Sequence, residues 1–375
     1  MPKVLHVTTV GVTARVFLLP LLSRLQQEDY DVQLACTPDE DAAVVAGKGI
    51  PFFPCRISRV IAPADIAAVM RLRRFIRREN FQLVHTHTAK AGFVGRLAAW
   101  LAGVPCIVHT YHGMPIHPYQ PRIVSWFYTR LERWVGRRTT HFIAVTDKIA
   151  ADIVRLGISD ENRVTRIYNG LDFARFTPAP GVERRQLRQQ WEIPDDALVI
   201  GTVSRLVPHK GLEDLLDTFA RVLKTHASAV LVVAGAGELR NQLGQRAQQL
   251  GIAAHIKWLG WQDNVPRALT GFDVFCLPTL REGFGYVFLE AQAAGVPVVA
   301  TRIDPLTETM REGETALLVE PHDPEALAAA LRLLLNDPAL RSRLADKAGE
   351  RVHACFDQRT QLDEIMRLYA ACLKK

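Results

Sequence analysis

The chain has no apolar run approaching the roughly 18 residues that a membrane-spanning helix needs. Its opening stretch, Lys3-Val-Leu-His-Val-Thr-Thr9, is too polar and too short for a signal peptide, so a cytoplasmic protein is expected. Cysteine is sparse. Cys36, Cys55, Cys106, Cys276, Cys355 and Cys372 are scattered without paired short spacing, mostly in apolar contexts, which points to reduced, buried thiols. There is no Gly-x-x-x-x-Gly-Lys-Ser/Thr phosphate loop and no Gly-x-Ser-x-Gly elbow, so nucleotide hydrolysis and esterase chemistry lose their usual warrant. No tandem repeat, low-complexity tract or recognised nucleic-acid-binding motif is present.

What remains is a globular composition, 48% apolar over 375 residues, longer than one hydrophobic core usually serves. Short β-branched runs alternate with helix-length amphipathic segments, the pattern of parallel sheets built from right-handed crossover units. Strands are expected at residues 3–9, 31–37, 83–88, 105–111 and 141–146, and again at 198–204, 229–235, 255–260, 273–277, 297–301 and 316–319. Between the two sets lies Ile167-Tyr-Asn-Gly-Leu-Asp172 followed by Pro178, Pro180 and Gly181, which cannot pair in a sheet. The predicted architecture is therefore two doubly wound domains, 1–172 and 173–360, with a linker near 172–182. Ligands of such sheets bind at the carboxyl ends of strands, so a site between the domains is expected.

The charge of +7 is unevenly spread, because residues 1–175 hold 23 Lys and Arg against 14 Asp and Glu. Arg71, Arg73, Arg74, Arg77 and Arg78 crowd one predicted helix, and Arg122, Arg130, Arg133, Arg137 and Arg138 surround Trp126, Phe127, Tyr128 and Trp134 in another. Such helices either rest on anionic lipid or form a solvated face whose aromatics point into the core.

Chemistry concentrates at strand ends. Glu282-Gly-Phe-Gly-Tyr-Val-Phe-Leu-Glu290 follows a strand and enters an alanine-rich helix. Glu282 then sits in a loop and Glu290 about two turns inside the helix, so both can face one ligand. Gly283 and Gly285 leave backbone donors at the helix N-terminus, where a diphosphate is favoured. In Ser204-Arg-Leu-Val-Pro-His-Lys-Gly211, Arg205 and Lys210 can grip a diphosphate leaving group, or can be solvated charges of a helix-entry loop. The turn Ala234-Gly-Ala-Gly-Glu-Leu-Arg240 has arginine where a dinucleotide fingerprint needs a small residue, and Gly235 serves there as a tight turn near a nucleotide. Val84-His-Thr-His-Thr-Ala-Lys90 and Val108-His-Thr-Tyr-His-Gly113 bring His85, His87, His109 and His112, but no Asp or Glu lies nearby and no metal is expected. Alternation makes His85 and His109 partly buried strand residues, while His112 just past its strand is the candidate for substrate contact.

The segments EGFGYVFLEAQAAGVPVVAT, SRLVPHKG, VAGAG and IYNGLDFARF together resemble glycosyltransferase family 4, the retaining GT-B enzymes, over nearly the whole chain and most strongly from Tyr168 to Thr301. By that resemblance Arg205 and Lys210 hold the donor diphosphate, Glu282 contacts donor-sugar hydroxyls, and Glu290 accepts from the ribose. The amides of Phe284, Gly285, Tyr286 and Val287 meet sugar and phosphate. His112 matches a cleft histidine that touches the sugar, Gly11 a close-approach glycine, and Gly260 and Trp261 belong to a segment against the base. The resemblance implies a nucleotide-sugar co-substrate, UDP-linked, with no metal or other cofactor and no covalent nucleophile assigned. It implies a glycan or lipid-linked acceptor and a final helix, 361–375, returning to the N-terminal domain. The first loop, Val10-Gly-Val-Thr-Ala-Arg15, lacks the glycine pair many members carry, and Arg302-Ile-Asp-Pro-Leu-Thr-Glu308 replaces a loop often rich in glycine. Two other readings stay open: a sugar-nucleotide epimerase on the same scaffold, and a non-catalytic module that binds sugar nucleotide or a lipid surface.

Overall fold

The computed structural model describes residues 1–57, 64–116, 120–176 and 181–374. Two compact units emerge, one of Met1–Tyr168 with Thr360–Lys375 and one of Asn169–Arg359. Pro178 and Pro180 of the expected linker lie outside the described residues, and Gly181 opens the helix Gly181–Gln190.

The first unit holds seven parallel strands: β1 (Lys3–Val7), β2 (Asp31–Cys36), β3 (Phe52–Pro54), β4 (Leu83–His87), β5 (Cys106–Tyr111), β6 (His141–Ala144) and β7 (Val164–Arg166). Their spatial order is β3-β2-β1-β4-β5-β6-β7. Both faces are covered, so the strands run nearly all apolar and alternation divides them between two cores. Leu5, Val7, Val84 and Ile107 pack with the helix Ala64–Glu79, while Val4, Leu83, Cys106 and Val108 pack beneath the helix Gln358–Leu373, which contributes Ile365 and Tyr369.

The second unit holds β8 (Val199–Val203), β9 (Val230–Ala234), β10 (Ile256–Gly260), β11 (Val274–Leu277), β12 (Val298–Thr301) and β13 (Leu317–Val319), in the order β10-β9-β8-β11-β12-β13. All its neighbours are parallel. Each sheet is thus doubly wound, winding outward one way from its first strand and then the other. The direction reverses between β1 and β4 in one sheet and between β8 and β11 in the other. Loops that leave adjacent strands in opposite directions open a crevice at the carboxyl ends, which is where such sheets take ligands.

Two expectations need correction. The strands β3 and β7 had no counterpart among the predicted ones; each is three residues at a sheet edge, too short for a legible alternation. All six cysteines are free, but Cys355 is exposed, because its helix Pro338–Cys355 turns that position to solvent.

The two basic helices differ. In Ala64–Glu79 the arginines Arg71, Arg74, Arg77 and Arg78 are exposed while Phe75 is buried, a solvated face over a core. In the helix Arg122–Gly136 the aromatics do not turn inward: Ile123 is 69% exposed, Trp126 56% and Phe127 46%. What the interior receives from that helix is Val135, Gly136 and Glu132, the last accepting from Arg96 at 2.7 Å and from the Tyr111 hydroxyl. No helix among the described residues is long and apolar enough to cross a membrane.

Candidate functional site

In the second unit the chemistry gathers at the β8/β11 reversal. The turn after β8, Pro208–Lys210, is tied to the turn after β11 because the His209 carbonyl accepts from Leu280 N–H at 2.8 Å and from the Thr279 hydroxyl at 3.1 Å. That clasp brings Lys210 Nζ to 2.5 Å from Glu282 Oε1, both side chains nearly enclosed at 11% and 12% exposure. Two residues 72 apart in sequence thus form one ion pair. Arg205 is exposed beside it, with no ion-pair partner among the described residues. Burial and the charges of Lys210, Arg281 and Arg205 hold the His209 imidazole below its ordinary value, which registers the positive field of this corner.

The helix Tyr286–Ala293 begins at the same place. Its N-cap is Gly285 at φ +81°, no side chain caps it, and Phe288 N–H donates to the Gly285 carbonyl at 3.1 Å, so the positive end of the helix dipole lies at this corner. A side chain at Gly285 would collide with Leu306 as well as strain the backbone, so only glycine fits. Phe284 is buried against Phe356 and offers the site its backbone only. Gly283 and Val287 are half-buried around it. The Tyr286 hydroxyl donates to the Gly170 carbonyl, pinning the helix to the segment that opens this unit.

One turn further, Glu290 is half-buried, and desolvation pushes its carboxyl up to about 7 against the pull of Arg175. An acid in that range can switch between donor and acceptor near neutral pH. Gly235 donates to the Gly260 carbonyl at 2.7 Å, joining the ends of β9 and β10, and Trp261 follows at 56% exposure with its indole N–H on Asp263. The arginine that breaks the dinucleotide fingerprint, Arg240, lies 4.0 Å over the Trp258 ring.

In the first unit, Gly11 opens a helical turn after β1, and its N–H donates to Asp39 at 2.8 Å. A methyl at Gly11 would strike Asp39 and the Ala42 backbone, so the close approach it permits is to the helix Glu40–Gly47. His112 lies half-buried just past β5. His85 and His109 are fully buried rather than partly so, since helices cover both faces of this sheet. They also point to opposite faces: β4 and β5 pair His85 with Val108 and Thr86 with His109, and His109 bonds Thr86. His109 therefore stays apart from His85, His87 and His112, which do come together. His6 of β1 joins His85 and His87, their ring nitrogens within 4.8 Å of one another. His6 carried no motif and was not among the expected residues.

Residues 12–170 match the family Glycosyl transferase 4-like domain, and residues 183–351 match Glycosyl transferases group 1. The chain is 27% identical over 373 residues to a UDP-Gal:alpha-D-GlcNAc-diphosphoundecaprenol alpha-1,3-galactosyltransferase of Escherichia coli, covering 95% of this chain and 96% of that one. It is 30% identical over 370 residues to a phosphatidyl-myo-inositol mannosyltransferase of Mycobacterium leprae, covering 96% and 92%. Among solved structures, HepE of Anabaena in complex with UDP and glucose shares the fold, with a TM-score of 0.86 at 21% identity over 99% of this chain and 100% of that one.

Proposed function

The chain belongs to glycosyltransferase family 4 of the GT-B enzymes, and from that premise we propose that it moves a hexose or N-acetylhexosamine from a UDP-sugar to a glycan or lipid-linked acceptor, with retention, in cell-surface polysaccharide assembly. The observation that carries this reading is the corner where Lys210, Glu282 and Arg205 meet the uncapped start of the helix Tyr286–Ala293 at the β8/β11 reversal. The E. coli relative is named for a UDP-galactose donor and a diphospholipid-linked acceptor, and the HepE structure holds UDP and glucose.

In this reading the second domain, 173–360, binds the donor and the first, 1–172, the acceptor. Arg205 and Lys210 meet the diphosphate, and their grip tightens as negative charge develops on the departing phosphate, so they accelerate transfer beyond simple binding. Lys210 leaves its pairing with Glu282 to do so, which frees that carboxylate to accept from the sugar hydroxyls. The Phe284–Val287 backbone takes the remaining phosphate charge, Glu290 accepts from the ribose, and Trp261 covers the base. Cations and a helix end serve where other transferases use a divalent ion. His112 touches the sugar. The exposed Ile123, Trp126 and Phe127, set among arginines, rest on an anionic membrane, which places the enzyme peripherally at the cytoplasmic face, near lipid-linked acceptors.

The test is purified protein with a panel of UDP- and GDP-sugars and lipid-linked acceptors, product anomers read by NMR. Transfer with retention from a UDP-sugar is expected. Neither hydrolysis nor transfer with any sugar nucleotide would sink the proposal, and conversion of the donor without an acceptor would make the enzyme an epimerase.

A further inference from the structure

Six side chains of the first unit form an unbroken hydrogen-bonded file. Thr110 Oγ1 lies 2.7 Å from His85 Nε2, and His85 Nδ1 lies 2.5 Å from the Tyr369 hydroxyl. That hydroxyl is 3.3 Å from His6 Nε2, His6 Nδ1 is 3.1 Å from His87 Nε2, and His87 Nδ1 is 3.2 Å from His112 Nε2. Every ring nitrogen in the file is engaged except His112 Nδ1, which has no partner among the described residues.

A neutral imidazole carries one N–H and one bare nitrogen, so each link needs a donor on one side and an acceptor on the other. Burial keeps all four rings neutral, lowering His6 to about 3 and His112 to about 4 and holding His85 and His87 well below their ordinary value. Two proton orders then run through the whole file. In one, every histidine carries its hydrogen on Nε2 and donation runs inward from His112 to Thr110. In the other, every histidine carries it on Nδ1 and donation runs outward from Thr110 to His112. An arrangement in which His85 and His6 both donate to Tyr369 strands the hydroxyl hydrogen of a fully buried tyrosine.

The inner end decides between the two. The buried Thr110 hydroxyl has His85 Nε2 as its one partner among the described residues. Only the outward order uses its hydrogen; the inward order leaves a buried O–H unpaired, a penalty that favours the outward order by about tenfold or more.

We propose that this file is a positioning device that locks His85, His6, His87 and His112 in the Nδ1–H tautomer, so that His112 presents an N–H donor to a hydrogen-bond acceptor, the oxygen of a sugar hydroxyl. Thr110, His85, Tyr369, His6 and His87 act through His112 and touch no substrate. In this state His112 takes no proton from its ligand. The ligand half rests on the glycosyltransferase reading above; the tautomer half stands without it.

Long-range 1H–15N correlation on the full chain labelled with 15N-histidine reads each tautomer directly at pH 7. The expected result is a protonated Nδ1 and a bare Nε2 on all four residues. A protonated Nε2 on any of them overturns the proposal. So does a stoichiometric shift of the His6, His85 and His87 signals on adding zinc, which would make the cluster a metal site. Thr110→Val, nearly isosteric, removes the decisive hydrogen: His112 becomes a tautomer mixture and kcat/KM for transfer falls about tenfold with UDP affinity unchanged, the loss of one hydrogen bond. Thr110→Ser restores both. Tyr369→Phe cuts the file at its middle, releasing His6, His87 and His112 and giving the same kinetic loss. An intact Nδ1–H order in Thr110→Val overturns the inference, and a mixture that leaves kcat/KM at the wild-type value overturns its functional half. Wild-type protein that transfers no sugar would count against the enzyme reading alone, since the tautomers are read without ligand.

Discussion

Glu290 meets two demands that pull apart. Its folded value of about 7 lies above the ordinary 4.5, so its contribution to stability is complete below pH 4.5 and is lost as pH rises through 7. Glu290→Gln keeps the shape and cannot ionise. It is expected to melt a few degrees above wild type at pH 8 and to draw level near pH 5. UDP affinity should move the other way, rising in wild type between pH 6 and 8 as the carboxylate forms and staying flat in the variant. Calorimetry at both pH values measures the two effects, and a pH-independent melting difference would refute the first. The Lys210–Glu282 pair invites a second test. Lys210→Met leaves an enclosed carboxylate unpartnered and should destabilise more than Lys210→Met with Glu282→Gln, with a coupling of about 1–3 kcal/mol in urea titrations. These residues were legible because each stands in a local pattern behind a strand. His6 and Tyr369 were not: a lone histidine in an apolar strand and a tyrosine in a helix, 363 positions apart, carry no local signal of their meeting. Gly11 was recognisable as a glycine that must stay small, but what crowds it, Asp39 and Ala42, could only be seen in the fold.

At the scale of elements, buried strands such as Val230–Ala234 announce themselves because helices on both faces demand continuous apolar residues. Phe52–Pro54 and Val164–Arg166 could not, since three residues on an edge bury too little to impose a pattern. The helix Arg122–Gly136 shows the limit of composition. Basic and aromatic residues mixed along it fit either a core-facing or an outward-facing arrangement, and only packing decided that Val135 goes in while Ile123, Trp126 and Phe127 stay out. Arg130 sits 5.1 Å over the Trp126 ring, so charge and apolar surface share one outward face. Trp126→Ala with Phe127→Ala should weaken binding to anionic vesicles about tenfold or more in sedimentation assays while leaving UDP affinity unchanged. Equal binding to neutral and anionic vesicles by both proteins would refute the membrane role.

For the whole molecule, two doubly wound sheets follow from the alternation of strands and helices, and the reversal points between β1 and β4 and between β8 and β11 account for why the informative residues cluster behind the strands beside them. Less predictable from local pattern is how much of the first core comes from the last helix. Ile365 and Tyr369 pack with Val4, Leu83 and Val108, so removing residues 360–375 opens that core. Calorimetry of the truncated chain should show the first unit's transition lost or lowered by ten degrees or so, with that of Asn169–Arg359 retained.

The same helix bears on the order in which the protein is made. Domains usually fold in the sequence the ribosome delivers them, N-terminal first. Here Asn169–Arg359 emerges whole before Tyr369 is translated, so the second unit can close while the first is still waiting for its final piece. The first unit is then sealed after the second, and the hydroxyl that completes the file between Thr110 and His112 arrives only once Asn169–Arg359 has been made.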